Sequence, residues 1–313
     1  MNAAHITIVV PCLNEADNVC ELYRQIEHEL KGTSFDCIFV DDGSSDNTLE
    51  VIKSLRLQHE NVGYISFSRN FGHQKALLAG IRSANADAVV MLDADLQQPP
   101  AVIPKMIRLW EDGYEIVNAV RRKSAGKGFF KRTSSEAFYM VFRFLTGLDL
   151  RVGAADFRLI DRRVAEFVGQ CPEDNMFLRG MFSWCGFRQA SVEFEENARF
   201  SGKTKYPLAK MVALSVEGIT SFSVRPLRLA MLFAAMFALF ALASAAYALY
   251  VKLFTGDAVP GWASMAVLVS LAGACNMVVL GVVGEYVGRA FMQGKHRPQY
   301  VIREASEGAA GKN

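Results

Sequence analysis

Two long apolar runs near one end of the chain constrain it more than any other feature. Residues 227–251 are almost entirely Ala, Leu, Met, Phe and Tyr, with no charge after Arg228. Residues 262–283 form a second such run. About 20 apolar residues of helix cross the hydrocarbon core of a bilayer. The short connector holds Gly256, Asp257 and Pro260, so a helical hairpin is expected, with spans at about 227–251 and 262–286. Two buried helices of a soluble domain are the competing reading. It is disfavoured because neither run carries a polar stripe. Arg225 and Arg228 precede the first span, and Arg289, Lys295, Arg297 and Arg303 follow the second, whereas the connector carries one Lys and one Asp. The positive-inside rule then puts both outer ends in the cytoplasm, giving a multi-pass protein of the cytoplasmic membrane. Gly281, Gly284 and Gly288 allow close helix contact, and a homo-oligomer is expected on that basis. Residues 287–313 read as a cytoplasmic tail, disordered from Ala305 onward.

The rest of the chain reads as one enzyme-sized unit. Its formal net charge of +2 gives no sign of a nucleic-acid partner. The six cysteines show neither C-x-x-C nor zinc-finger spacing and read as reduced thiols. The apolar run at 6–10 is too short for a signal-peptide core and has no basic leader. Strand-like runs at 6–10, 37–40, 62–67 and 88–92 alternate with helical patterns at 18–31, 46–55 and 74–84. Asp46 is a plausible N-cap of the second helix. That order predicts an α/β domain with a mostly parallel sheet and helices on both faces. Ligands of such sheets bind beyond the carboxyl ends of the strands.

Each of the four strands ends in a polar cluster. Pro11, Asn14 and Glu15 follow the first, and Asp41, Asp42, Gly43 and Ser44 the second. Ser68, Arg69, Asn70 and Gly72 follow the third, and Asp93, Asp95 and Gln97 the fourth. All four clusters therefore fall on one sheet edge. No G-x-G-x-x-G and no P-loop motif is present, which disfavours dinucleotide and P-loop chemistry. In an extended chain Asp93, Asp95 and Gln97 would project to one side, with Ala94 and Leu96 facing the protein. Oxygen donors so placed suit Mg²⁺ or Mn²⁺ bridging the phosphates of a nucleotide. A polar loop that merely caps the helix after Pro99 and Pro100 is the plainer alternative.

These stretches resemble the family 2 glycosyltransferases of the GT-A fold, and more narrowly the polyprenyl-phosphate glycosyltransferases. That group includes dolichyl-phosphate mannose synthases, bactoprenol glucosyltransferases and undecaprenyl-phosphate formamido-arabinose transferases. The resemblance rests on Val10-Pro11-Cys12-Leu13-Asn14-Glu15, Val40-Asp41-Asp42-Gly43-Ser44, Ser68-Arg69-Asn70-Phe71-Gly72 and Asp93-Ala94-Asp95-Leu96-Gln97. It extends through Gly153 to Leu159 and Arg199 to Tyr206 into the apolar hairpin. It implies that Pro11, Glu15 and Asp42, with Asp41, Asn14 and Arg69 beside them, hold the nucleotide. It implies that Asp93, Asp95 and Gln97 bind the metal and diphosphate, with Asp95 among the catalytic groups. Arg121 would lie near the diphosphate or the acceptor phosphate, and Arg132 and Ser135 near the acceptor. The sequence departs from the usual pattern at Ala119 and at Ala154-Ala155, the latter beside the expected sugar pocket.

The acceptor chemistry follows. A phosphate monoester has its second pKa near 6, so a lipid phosphate is already nucleophilic at neutral pH. Such an acceptor needs cations more than a base. Arg199, Lys203 and Lys205 supply three within seven positions, and Arg199 and Lys203 are placed among the catalytic groups. A patch for anionic head groups is the alternative. Asp156 is the position that the resemblance would make a base. The same pKa argument favours a sugar-hydroxyl ligand or a partner that orients an arginine. His73 reads as structural. Residues 206–224 have the spacing of an amphipathic helix lying in the membrane interface. The expected organisation is a GT-A catalytic domain at 1–205, a juxtamembrane segment at 206–226, the hairpin at 227–286 and the tail. The expected activity is inverting transfer from a UDP-sugar to undecaprenyl phosphate at the cytoplasmic face, for cell-envelope glycan or lipopolysaccharide modification. A GDP-mannose-dependent mannosyltransferase and an inactive membrane scaffold are the rival readings.

Overall fold

A computed structural model of the chain describes residues 4–122, 140, 143–147, 154–173, 176–196, 218–254 and 261–307. The first half alternates β1 (His5–Cys12), α1 (Val19–Glu29), β2 (Ser34–Asp41), α2 (Thr48–Gln58), β3 (Val62–Phe67), α3 (His73–Ser83) and β4 (Ala88–Met91). The four strands and three helices expected from the sequence are all present. A 3₁₀ turn at Pro100–Val102 leads into α4 (Ile103–Glu111). There follow β5 (Ile116–Arg121), β6 (Ala154–Asp161), α5 (Arg162–Gln170), α6 (Leu178–Trp184) and β7 (Gln189–Phe194). Two long helices, α7 (Arg225–Phe254) and α8 (Trp262–Gln293), precede a last strand, β8 (Ile302–Ala305).

All eight strands form one sheet, in the order β7-β5-β6-β4-β1-β2-β3-β8. β6 runs antiparallel to β4 and β5, β8 runs antiparallel to β3, and the other pairings are parallel. β1 explains why the sheet is buried on both faces. Ile6, Ile8 and Val10 join a core shared with α1, α2 and α4, while Val9 packs with α3 and α5. A strand covered on both sides needs an unbroken apolar run, and β1 has one from Ile8 to Val10. Asp46 is not the residue adjoining α2, which starts at Thr48. Its carboxylate still accepts the Thr48 backbone N–H at 3.0 Å.

The C-terminal expectation is corrected. The second apolar helix runs on to Gln293, and Ala305, the first residue of the expected disordered tail, is instead the last residue of a sheet strand, Ile302–Ala305. β8 is tied down along its length. Ser306 Oγ accepts the Tyr64 backbone N–H at 2.9 Å, Lys53 pairs with Glu304 at 3.0 Å, and Tyr300 stacks on Phe67 with ring centres 5.0 Å apart. This four-residue segment carries two charges and no alternation, and its partner strand lies some 240 residues away.

Within α7 and α8, the stretches Arg225–Val251 and Val267–Gln293 are each long and apolar enough to cross a membrane. Met231, Leu239, Met277 and Val278 point outward, each about two-thirds exposed. Helices of a soluble core would bury such side chains, so burial against the sheet domain does not account for them. A Cβ added at Gly281, Gly284 or Gly288 would meet no described atom within 4 Å, so that strip of α8 is bare among the described residues. Of the expected amphipathic segment, residues 218–224 lie within the described residues, and 218–222 are helical.

Candidate active site

The carboxyl ends of β1 to β4 and the start of β6 meet at one edge. Loop-to-loop bonds build it from polar side chains. Asn14 adopts a left-handed φ of 58°, donates its N–H to Ser44 Oγ at 3.0 Å and accepts from Ser45 N at 2.9 Å. Glu15 donates its backbone N–H to Thr48 Oγ1, and its carboxylate accepts from Asn18. Pro11 lies in β1 opposite Val40.

Asp41 and Asp42 are both buried. Asp41 accepts from Ser44 N and Ser66 Oγ. Asp42 accepts from Phe71 N at 2.7 Å and Gly72 N at 2.9 Å. Burial pushes the Asp42 carboxyl up from its ordinary range, against the pull of those two N–H groups. Gly43, at a φ of 70°, lets the second loop touch the third, because a Cβ there would sit 2.5 Å from the Arg69 carbonyl carbon. Arg69 lies over the Phe71 ring at 4.1 Å, on the exposed side of the same loop.

The fourth cluster differs from an extended strand. β4 stops at Met91, and the chain turns through Ala94 and Asp95, with Leu96 at a φ of 60°. Burial still alternates as expected: Ala94 and Leu96 are inside, Asp93, Asp95 and Gln97 partly out. The turn separates the carboxylates by partner. Asp93 accepts from the buried Gln98 amide at 2.5 Å and meets His73 Nε2 at 2.9 Å. Asp95 accepts the Gln97 backbone N–H at 3.2 Å. With its amide turned to satisfy its neighbours, Gln97 donates to Asp95 Oδ2 at 3.0 Å and Glu196 Oε1 at 3.3 Å. Glu196 also pairs with Arg121 at 2.8 Å, which brings the end of β5 to this turn.

Strand register explains the neighbour on the other side. Met91 opposes Arg158 in the antiparallel β4–β6 pair, so the same register carried two residues on sets Asp93 against Asp156. His73, the first residue of α3, stands between them, with Nδ1 3.7 Å from Asp156 Oδ2. Burial works against charge on His73, yet Asp93 and Asp156 prevail and hold its pKa above the ordinary value. Arg179 on α6 grips Asp156 with two hydrogen bonds, at 2.7 and 2.8 Å. Burial favours the neutral acid, but these bonds and the Arg179 charge outweigh it and hold Asp156 at about 2.

Thus Asp41, Asp42, Asn14, Glu15, Arg69, Asp93, Asp95, Gln97, Arg121 and Asp156 all gather on one edge. Arg132, Ser135, Arg199, Lys203 and Lys205 lie outside the described residues. Sequence reasoning missed the parts played by His73, Arg179 and Glu196 in this geometry. His73 had a signal: it opens a helix directly after a strand end on the site edge. Arg179 and Glu196 had none, since their partners are set by packing across the sheet.

The oxygen-rich turn could hold a hard divalent cation. Gln97 supports the fit, because its amide NH₂ is a weak positive pole placed between two carboxylates. Among the described residues no three His, Cys, Asp or Glu side chains converge as a metal cage. A cation here would complete its shell with water and phosphate oxygens, as Mg²⁺ commonly does.

A mostly parallel sheet with this acidic, interlocked edge defines a GT-A glycosyltransferase. The family model for glycosyl transferase family 2 matches residues 7–169, and the chain belongs to that family. It is 40% identical over 301 residues to the uncharacterized glycosyltransferase YkcC of Bacillus subtilis, covering 96% of this chain and 93% of that one. It is 36% identical over 304 residues to the prophage bactoprenol glucosyl transferase homolog of Escherichia coli, covering 96% and 99%. Among solved structures it is similar to glucosyl-3-phosphoglycerate synthase from Mycobacterium tuberculosis in complex with Mn²⁺, UDP and glucosyl-3-phosphoglycerate. That match has a TM-score of 0.46 and 19% identity, and covers 69% of this chain and 78% of that one.

Proposed function

We propose that the protein moves a sugar from a nucleotide-sugar to a polyprenyl phosphate, undecaprenyl phosphate in particular, at the cytoplasmic face of a membrane. The observation that carries the acceptor is the state of Asp156. A hydroxyl acceptor needs a general base with a pKa near the working pH. Asp156, at about 2 and gripped by Arg179, is a poor base, and His73 is held toward its charged form. A lipid phosphate needs neither. Its oxygen attacks the anomeric carbon as the bond to the nucleoside diphosphate breaks, and the diphosphate leaves with the bonding pair, inverting the centre. The relative named as a bactoprenol glucosyl transferase homolog points to the same acceptor class.

Asp95, with Asp93 behind it, would hold Mg²⁺ or Mn²⁺, which supplies charge for the departing diphosphate, and Gln97 would join them by turning its amide oxygen toward the ion. Asp42, Asp41, Asn14, Glu15, Pro11 and Arg69 frame the nucleoside pocket, and Arg121 serves the phosphates. Arg132, Ser135, Arg199, Lys203 and Lys205 are assigned to the acceptor phosphate. The donor is UDP-linked in preference to GDP-linked, and the product feeds cell-envelope glycan or lipopolysaccharide modification. α7 and α8 cross the membrane as a hairpin. Because β8 rejoins the catalytic sheet, an even number of crossings is required, and the flanking Lys and Arg residues favour the cytoplasm for both ends. The bare glycine strip of α8 is the proposed oligomer contact.

Transfer of radiolabelled sugar from a panel of UDP- and GDP-sugars to undecaprenyl phosphate in detergent, with Mg²⁺ or with EDTA, tests this. Metal-dependent label in the lipid phase from one donor is expected. A folded protein that labels no lipid from any donor would overturn the reading.

A further inference from the structure

We propose that Arg179 is an acceptor-binding residue, and that the pair it forms with Asp156 is the phosphate-receiving seam between the catalytic edge and the membrane anchor. The inference rests on the lipid-phosphate reading above and adds a cation which the sequence did not single out.

Three observations carry it. The first is orientation. Two parallel bonds from one carboxylate fix the plane of the guanidinium before any ligand arrives. The Asp156 side chain is 10% exposed and that of Arg179 is 45% exposed, so the acid lies inside and the arginine stands on its solvent side. An arginine serving only to neutralise a buried acid needs no such exposure.

The second is its distance from the donor chemistry. Asp93 of the acidic turn contacts His73 at 2.9 Å, His73 faces Asp156 at 3.7 Å, and Asp156 holds Arg179 at 2.7 Å. Arg179 therefore stands two side chains from the carboxylate assigned to the diphosphate. The local charge also suits an anion. Arg158, buried over the Phe182 ring at 4.5 Å, adds a second guanidinium beneath the pair, still cationic at neutral pH with a pKa of about 10.

The third is the membrane side. The residue after Arg179 is Gly180, where a Cβ would stand 2.4 Å from the Phe222 ring, so α6 packs directly on the juxtamembrane turn. Phe177 meets the same ring edge-on at 6.3 Å. Either side of Phe222, α8 holds the backbone and side chains in place. Tyr286 donates to the Ser223 carbonyl at 2.5 Å, and Arg289 donates to Ser221 Oγ at 3.3 Å. The anchor and the acid–arginine pair are thus joined through one helical turn. A prenyl chain held along the hairpin would deliver its phosphate to this seam.

The test uses the full-length protein in detergent with undecaprenyl phosphate and the donor that the wild type uses. Arg179→Gln should raise KM for the lipid roughly 10- to 100-fold, the range of a lost charge-assisted contact, with donor KM changed less than about threefold. Arg179→Lys should fall between. Asp156→Asn/Arg179→Gln guards against a folding artefact, since it leaves no unpaired buried acid. Its lipid KM should stay high. Recovery of the wild-type lipid KM in the double variant would show that Arg179 only neutralises Asp156 and would overturn the inference. So would an unchanged lipid KM in Arg179→Gln, or an equal rise in donor KM. A wild type that transfers nothing to lipid phosphate would sink the acceptor reading itself, which these variant results cannot do.

Discussion

The carboxylate of Asp42 receives the backbone N–H of Gly72 at 2.9 Å, so the end of β2 holds the peptide that opens α3. The same carboxylate takes Phe71 N at 2.7 Å. Asp42→Asn keeps the shape but turns an NH₂ toward one of those donors. A loss of about 1.5–3 kcal/mol is expected for a charged hydrogen bond of this kind. Amide exchange at Phe71 and Gly72 should speed up, and donor KM should rise about tenfold. Unchanged protection at both amides would show that the loop is held by other contacts.

Gly43 gives a sharper steric test. Its φ of 70° and the 2.5 Å approach to the Arg69 carbonyl carbon leave no room for a side chain. The obstacle is backbone and cannot rotate aside. Gly43→Ala should combine a left-handed penalty of about 1–2 kcal/mol with displacement of the Arg69 loop. Thermal unfolding should move down by on the order of 5 °C, with weakened donor binding.

The Asp156 pair predicts a pH dependence with a definite sign. The folded pKa is about 2 against an ordinary value of 3.8. A depressed carboxyl pKa adds stability that is present above the unfolded value and is lost as pH falls through the folded one. The contribution is about 2 kcal/mol at neutral pH, and it fades between about pH 4 and pH 2. The stability gap between wild type and Asp156→Asn should close over that acid window, with only a smaller decline where His73 loses its proton at higher pH, because Asp156 also helps to hold that ring's charge. A gap that instead closes between pH 6 and 7 would mean that His73, not Arg179, controls the pair.

Much of the fold could be read from the chain itself. β1 to β4 announced themselves as apolar runs with polar ends, because parallel strands are buried on both faces and stop at the ligand edge. β6 and α6 were not legible. Their short runs have no strong period, and the place of β6 depends on antiparallel pairing with β4 across more than 60 residues. The acidic turn was half legible. Ala94 and Leu96 do face inward, but the backbone turns instead of extending, so Asp93 meets His73 while Asp95 meets Gln97. Alternation in sequence predicts which side chains are buried. It does not predict which of the others touch.

β8 makes a further prediction. The carbonyl of Val301, just before β8, accepts the Ser68 N–H at 2.9 Å, and Arg303 within it donates to the Ser68 carbonyl at 3.3 Å. Both contacts brace the third-strand loop of the site. Deleting residues 298–313 should deprotect the Tyr64 and Ser68 amides in hydrogen exchange and raise donor KM several-fold. Wild-type exchange at both amides in the truncated protein would sever the link between the C-terminus and the site.

The position of β8 in the chain also sets an order of events during synthesis. Tyr64 leaves the ribosome 242 residues before its partner Ser306. At about 5–20 residues per second, the outer edge of β3 waits roughly 12–48 s for its neighbour. An open strand edge invites pairing with other chains. Both apolar helices emerge within that interval, so the sheet is closed by a strand that can arrive only after the hairpin has been made. The enzyme body is therefore completed last at its outer edge, and a chain stalled before its last strand carries an unfinished sheet.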